Sequence, residues 1–246
     1  MEDLIKRVSN AISLMFLFVI SAVFYFSAKG FVIENGQIVL KEQIVHAEDV
    51  KNGIATVLPK NININASTKY IKGSPSAPLT FYEYSSFGCP HCADFHLNVL
   101  PKLERDYVEK GVLKIVFVSF PLDKKSMKGA MLSRCMTYDN YHQFIETLFD
   151  KQRFWFLAKD DTALFKYAAE FGLSYDEAEQ CVRDDNLASE IIADRQQGVK
   201  QLKMDGTPAF LVSGADGNEV IYGKPRYSDL HEYLDTRLAG LGYKRK

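Results

Sequence analysis

Cys89 and Cys92 are separated only by Pro90 and His91, in the stretch SSFGCPHCADFH that runs from Ser85 to His96. Two thiols at this spacing can hold a metal, attach a haem, close a permanent bridge, or form a small disulfide ring that opens and recloses. Haem attachment needs a histidine directly after the second cysteine, and residue 93 is alanine. A structural zinc needs two more ligands at matched spacing, whereas Cys135 and Cys181 stand far from the pair and from each other. A static bridge would be unusual around a Pro-His dipeptide where a strand gives way to a helix. Redox exchange is the chemistry this pattern supports. It needs a thiolate, and the unpaired N–H groups and dipole of a helix N-terminus favour negative charge there. Pro90 suits the first helical turn, and His91 can offer a hydrogen bond or a positive charge. In such surroundings a cysteine pKa falls from roughly 8.5 to as low as ~3.5. Holding the reduced thiolate makes the disulfide form a stronger oxidant.

The elements needed to position the pair are legible on both sides of it. Leu79 to Tyr84, in PSAPLTFYEYSS, reads as an aromatic-rich strand bounded by prolines. After the cysteines, Phe95, Val99, Leu103 and Tyr107 recur every four residues as one apolar stripe of a helix. Pro101 should kink that helix, and Gly111 should end it. VLKIVFVSF is a near-continuous apolar run, as expected of a strand buried on both faces. From Asp123 to about Leu202 the pattern is almost all helical. Gly172 closes one helix, Ser174 with Glu177 forms a capping box for the next, and a longer helix carries a weak point at Gly198. TPAFLVSG and EVIYG then flank ADGN, a hairpin signal centred on Asp216-Gly217. The last helix is expected to start at Ser228 as N-cap and to bury Leu230, Leu234 and Leu238. Strand, helix and strand form a βαβ unit with parallel strands and a right-handed crossover. The hairpin and last helix complete an α/β fold, one mixed sheet with helices on both faces, interrupted by the helical block at about 123–202.

The chain has 246 residues and a formal net charge of −1, with no basic patch beyond the terminal YKRK, which argues against a nucleic-acid partner. It has no internal repeat and no phosphate-binding glycine loop. The N-terminus stands apart. Residues 8–28 carry no charge and are long and apolar enough to span a bilayer. Lys6 and Arg7 place residues 1–7 in the cytoplasm, so residues 8–28 are expected to anchor the chain in the inner membrane with the rest exported. A cleaved signal peptide is the rival reading, but its best cleavage site, Ala28-Lys29-Gly30, has a lysine inside it. Residues 29–66 read as a spacer, with a hairpin around Asn35-Gly36 and an Asn65-Ala66-Ser67 sequon taken as a chance match. The main domain is expected over 67–246, in a compartment where disulfides persist.

FYEYSSFGCPHCADFH, with GTPAF far downstream, resembles the DsbA family of thiol:disulfide oxidoreductases. The resemblance runs from about Ser67 to Leu241 and implies a thioredoxin-like fold with an inserted helical domain. It implies that Cys89 is the nucleophile, Cys92 the buried resolving cysteine, and Pro90 and His91 the dipeptide that sets the redox potential. It also implies that Pro208, preceded by Thr207, is a cis-proline beside which substrate backbone pairs; base rates alone would make it an ordinary trans proline. Glu83 matches a buried acid that accepts the resolving thiol's proton, against the plainer reading of an edge or solvent-facing glutamate. His96, one turn beyond Cys92, is expected to face solvent, with a side chain turned to the active site as the alternative; His46, His142 and His231 show no partner pattern, and Trp155 reads as core or a surface contact. An even cysteine count in an oxidising compartment suggests a second, structural disulfide between Cys135 and Cys181, as in similar alphaproteobacterial proteins. Two buried free thiols are the alternative. The resemblance implies an exported, membrane-tethered dithiol oxidase that acts on unfolded or reduced exported proteins. A membrane-bound, quinone-linked reoxidase would restore it, and no metal or organic cofactor is needed. An isomerase or reductase of the same fold is the nearest alternative, and a non-catalytic chaperone module is another.

Overall fold

The computed structural model describes residues 31–34, 37–40, 56–58 and 71–243. The apolar segment 8–28, the sequon, His46 and the last three residues of the basic tail lie outside the described residues. Among the described residues no helix is long and apolar enough to cross a membrane. The chain divides into two units, Met1–His46 and Ala47–Lys246. In the first, β1 (Phe31–Glu34) and β2 (Gln37–Leu40) pair antiparallel with Glu34 opposite Gln37, as the Asn35-Gly36 turn signal requires.

The second unit is built on a six-stranded sheet. Its strands are β3 (Thr56–Leu58), β4 (Ile71–Lys72), β5 (Leu79–Ser85), β6 (Leu113–Ser119), β7 (Ala209–Gly214) and β8 (Gly217–Tyr222), in the order β3-β8-β7-β5-β6-β4. β5 and β6 are parallel and every other neighbouring pair is antiparallel. The spacer reading of 29–66 therefore needs correction: Thr56–Leu58 lies inside that stretch, yet it closes one edge of the sheet by pairing with β8. Three residues are too few to show a period, so nothing local marked them as a strand.

β5 runs into α1 (Pro90–Asn98). Pro101 divides the helix rather than merely kinking it. α1 ends at Val99, and a short α2 (Leu100–Leu103) starts afresh with proline in its first turn, where the missing N–H costs nothing. A wider π-type turn, Glu104–Val108, then leads to Gly111, whose φ of +73° ends the element. Leu79 and Phe81 of β5 face α1, α2 and the last helix, α9 (Tyr227–Gly240), in one apolar core with Phe95, Leu103, Phe210 and Leu234. Tyr84 points to the opposite face, where Val118, Leu202, Met204 and Leu211 form a second core. α9 buries Leu230, Leu234 and Leu238 as expected, but it starts one residue before Ser228, with Arg226 as N-cap. The hairpin turn is likewise displaced: Gly214 pairs with Gly217, so Ala215 and Asp216 form the loop and Gly217, at φ +143°, opens β8. Buried Arg237 of α9 locks this loop, bonding Asp216 Oδ2 at 2.8 Å and the Gly217 carbonyl at 3.0 Å.

Between β6 and β7 lie α3 (Lys124–Cys135), α4 (Tyr138–Asp150), α5 (Gln152–Phe156), α6 (Thr162–Glu170), α7 (Tyr175–Val182) and α8 (Asp185–Leu202). They share a third core that includes Phe144, Leu148, Trp155 and Ile191 and reaches across to Cys92 and Phe117. The Ser174–Glu177 capping box opens α7. Gly198 does not weaken α8, which is continuous; a Cβ there would sit 3.2–3.3 Å from Phe120, Met204 and Tyr84, so the small residue lets the helix approach the sheet. Trp155 is core, its indole N–H donating to the Leu148 carbonyl at 2.8 Å. The sulfurs of Cys135 and Cys181 are joined, tying the end of α3 to α7 with Cα atoms 6.4 Å apart.

Candidate active site

Cys89 is the N-cap of α1, with extended backbone (φ −83°, ψ 119°), and Pro90 occupies the first helical turn. Both cysteines are free thiols. Cys89 keeps 8% of its surface exposed and Cys92 none. In the thiol form Cys89 Sγ donates to the Thr207 carbonyl at 3.3 Å, while the Cys92 N–H reaches Cys89 Sγ at 3.4 Å. The Thr207–Pro208 peptide bond is cis. Thus the turn before β7, 118 residues away in sequence, lies against the nucleophile.

The two thiols titrate in opposite directions. Cys89 is lowered to about 5. The Cys92 thiol hydrogen-bonded to its sulfur is the main cause, opposed by burial and aided by Thr207 and by the backbone N–H groups of Cys92 and His91. Cys92 is pushed far up by burial, and further by donating that same hydrogen bond and by the neighbouring Cys89 charge. Thr207 Oγ1 is buried without a hydrogen-bond partner in the dithiol state, yet it lies near enough to both sulfurs to favour their ionised forms. His91 contributes to Cys89 through its backbone N–H, and its side chain is exposed.

Three residues that sequence reasoning passed over hold the active-site turn. Gly88 N–H donates to Ser126 Oγ at 2.9 Å, and Ser126 is itself fixed by Asp123, the N-cap of α3. Buried Gln152 donates from Nε2 to the carbonyls of Phe87 at 2.7 Å and Cys89 at 3.0 Å. A Cβ on Gly88 would lie 2.4 Å from the Phe156 ring, so only glycine lets α5 close over the turn. The helical block thus fixes the backbone on which Cys89 stands.

Beneath the cysteines, Glu83 is fully buried. Ser85 Oγ donates to its Oε1 at 2.7 Å, and His96 Nδ1 lies 3.3 Å from its Oε2. The expectation that His96 faces solvent is overturned: its side chain is only 11% exposed, and its ring packs 4.6 Å from that of Phe149. One turn beyond Cys92, His96 lies on the same helix face, and that face is covered by α4 rather than by water. His231 also has partners, Tyr107 at 2.8 Å and Asp235 at 3.6 Å. Burial lowers His142 to about 4. Among the described residues no cluster of three or more histidine, cysteine or acidic side chains could hold a metal ion.

A βαβ unit and a hairpin around a reactive helix N-cap, with a cis-proline against it, define a thioredoxin-like dithiol protein. The family model described as thioredoxin matches residues 65–236, and the chain belongs to that family. It is 28% identical over 169 residues to a Rickettsia typhi chain named as a protein-disulfide oxidoreductase, covering 68% of this chain and 62% of that one. It is 27% identical over 192 residues to a Bacillus anthracis chain named as a disulfide bond formation protein D, covering 70% of this chain and 79% of that one. The crystal structure of alpha-DsbA1 from Wolbachia pipientis superposes with a TM-score of 0.63 at 28% identity, over 73% of this chain and 92% of that one. The chain is thus DsbA-like. It spans less than two thirds of the length of the rickettsial relatives, 62% in one and 54% in another, from Rickettsia prowazekii.

Proposed function

We propose that this chain is an exported thiol:disulfide oxidoreductase that introduces disulfides into envelope proteins through Cys89 and Cys92. A substrate thiolate attacks Cys89 Sγ of the Cys89–Cys92 disulfide. The enzyme S–S bond breaks, a mixed disulfide forms at Cys89, and Cys92 leaves as a thiolate that takes up a proton. A second substrate thiolate then attacks the substrate sulfur of the mixed disulfide. Cys89 leaves as a thiolate, the substrate is oxidised by two electrons, and the enzyme is left as the dithiol. A membrane-bound, quinone-linked partner takes those electrons and restores the disulfide. Thr207 and Pro208 align the substrate chain at Cys89, and Glu83 serves the proton of Cys92. Residues 8–28 carry the chain to or hold it at the inner membrane, and the Cys135–Cys181 bridge strengthens the helical block.

The observation that carries this reading is the split between the two thiols. Cys89 is ionised at neutral pH and a good leaving group, whereas Cys92 is held as a thiol. The names of the rickettsial and bacillar relatives support the same reaction class. The test is oxidation of a reduced, unfolded model protein by one equivalent of the disulfide form. Wild type transfers its disulfide, and Cys89→Ala transfers none. If wild type leaves the thiols of the model protein reduced, the oxidase reading fails.

A further inference from the structure

Cys89 opens α1 as its N-cap, so its carbonyl accepts the first helical bond, from the Ala93 N–H at 3.1 Å. Two more donors converge on that oxygen. The Cys92 N–H lies 3.1 Å from it and Gln152 Nε2 lies 3.0 Å from it. A carbonyl oxygen has two lone pairs, so it cannot hold all of these donors at full strength. The Cys92 N–H is the one that can turn elsewhere, because it also reaches Cys89 Sγ at 3.4 Å. A shared N–H of this kind is common at helix ends. Here it is divided between the oxygen and the sulfur of one residue. Whatever else occupies the oxygen leaves more of the N–H for the sulfur.

Gln152 is the donor that does not belong to α1. It comes from α5 in the helical block, 63 residues along the chain from Cys89. The residue is buried. Its amide nitrogen carries two protons, and the second goes to the Phe87 carbonyl at 2.7 Å. This pair orients the amide, since turning it over would set its oxygen against two carbonyl oxygens. Phe87 is itself fixed, its ring lying 5.3 Å from that of Phe117 and 5.1 Å from that of Phe149. Gln152 is thus held by one carbonyl and aimed by it at the other.

We propose that Gln152 is a positioning residue for Cys89: by occupying the Cys89 carbonyl it releases the Cys92 N–H to the Cys89 sulfur, and so stabilises the thiolate that leaves when a substrate is oxidised. The inference rests on the oxidoreductase reading and adds to it a residue of the helical block. When the second substrate sulfur displaces Cys89, the substrate disulfide forms, the mixed disulfide breaks, and the bonding pair stays on Cys89 Sγ. The new charge draws the Cys92 N–H from oxygen to sulfur, because a hydrogen bond to an ionised acceptor is the stronger one. With Gln152 in place the oxygen keeps two partners throughout. Without Gln152 it would keep Ala93 alone, and the Cys92 N–H would be held back.

The experiment follows alkylation of Cys89 by iodoacetamide across pH in the reduced full-length protein in detergent, read by mass at the Cys89 peptide. Only the thiolate reacts. Gln152→Met keeps a side chain of similar length and removes both donors. The midpoint, about 5 in wild type, should rise by about one pH unit, as expected when one hydrogen bond to a charged sulfur weakens. That is tenfold in the ionisation constant, so equilibration with glutathione should place the reduction potential about 30 mV lower. Gln152→Ala removes the same donors with no bulk to misplace and should move both values the same way. If both variants unfold more easily in urea while midpoint and potential stay at their wild-type values, Gln152 is a structural tie only and the proposal is overturned. A midpoint that falls overturns it as well. A wild-type midpoint at the ordinary thiol value of about 8.5 would strike the oxidoreductase reading itself, and this inference with it.

Discussion

An ionised Cys89 makes the stability of the reduced protein depend on pH in a calculable way. An unfolded thiol titrates near 8.5, whereas folded Cys89 titrates at about 5. Between those values the unfolded chain binds the extra proton, so stability rises with pH. The contribution is complete above the unfolded value and is lost as pH falls through about 5. At pH 7 it is two pH units at about 1.36 kcal/mol each, or about 3 kcal/mol. Cys92 does not offset it there, because its raised pKa keeps it a thiol in both states at neutral pH. The assay is urea unfolding of the reduced wild type and of reduced Cys89→Ala, at pH 7 and at about pH 4.5. Packing lost with the side chain is common to both conditions and cancels. The wild-type advantage should shrink by about 3 kcal/mol on acidification. An advantage that stays constant to within a few tenths of a kcal/mol would refute the acid-shifted thiol. The same 3 kcal/mol favours the reduced protein over its disulfide form by about 60 mV.

Two further outcomes concern the scaffold. The Cys135–Cys181 link closes a loop with a sequence separation of 46; on the chain-entropy model, replacing both by alanine costs roughly 4 kcal/mol in urea unfolding, while mass mapping of the unreduced wild type returns the two peptides joined. Gly88→Ala puts a methyl 2.4 Å from the Phe156 ring and 2.6 Å from Ser126 Oγ, which should cost about 1–3 kcal/mol and slow the reaction of Cys89 with alkylating agents, because the turn beneath it must shift.

What was readable in the sequence was what a local pattern can encode. The paired cysteines, the strand before them, the buried run of β6, the capping box at Ser174 and the leucine stripe of α9 each rest on residues within a turn or two of one another. Glu83 and the Thr207–Pro208 turn were found only through family resemblance, since 118 residues of chain separate Thr207 from Cys89. The missed residues share one trait, in that each acts on a partner distant in sequence. Gln152 serves carbonyls 63 and 65 residues away. Ser126 reaches Gly88 across 38 residues. His96 carries an ordinary helical spacing, and it is buried only because α4 packs on that face.

An oxidase requires above all a strongly oxidising Cys89–Cys92 pair. Equilibrating the protein with glutathione buffers of stepped ratio, and counting alkylated thiols by mass, gives its reduction potential. A stabilised Cys89 thiolate predicts a value above roughly −200 mV, on the DsbA side of the range, with the potential falling less steeply with pH above about 5 than an ordinary dithiol. A value near the roughly −270 mV typical of thioredoxin would contradict the oxidase and leave a reductase in its place.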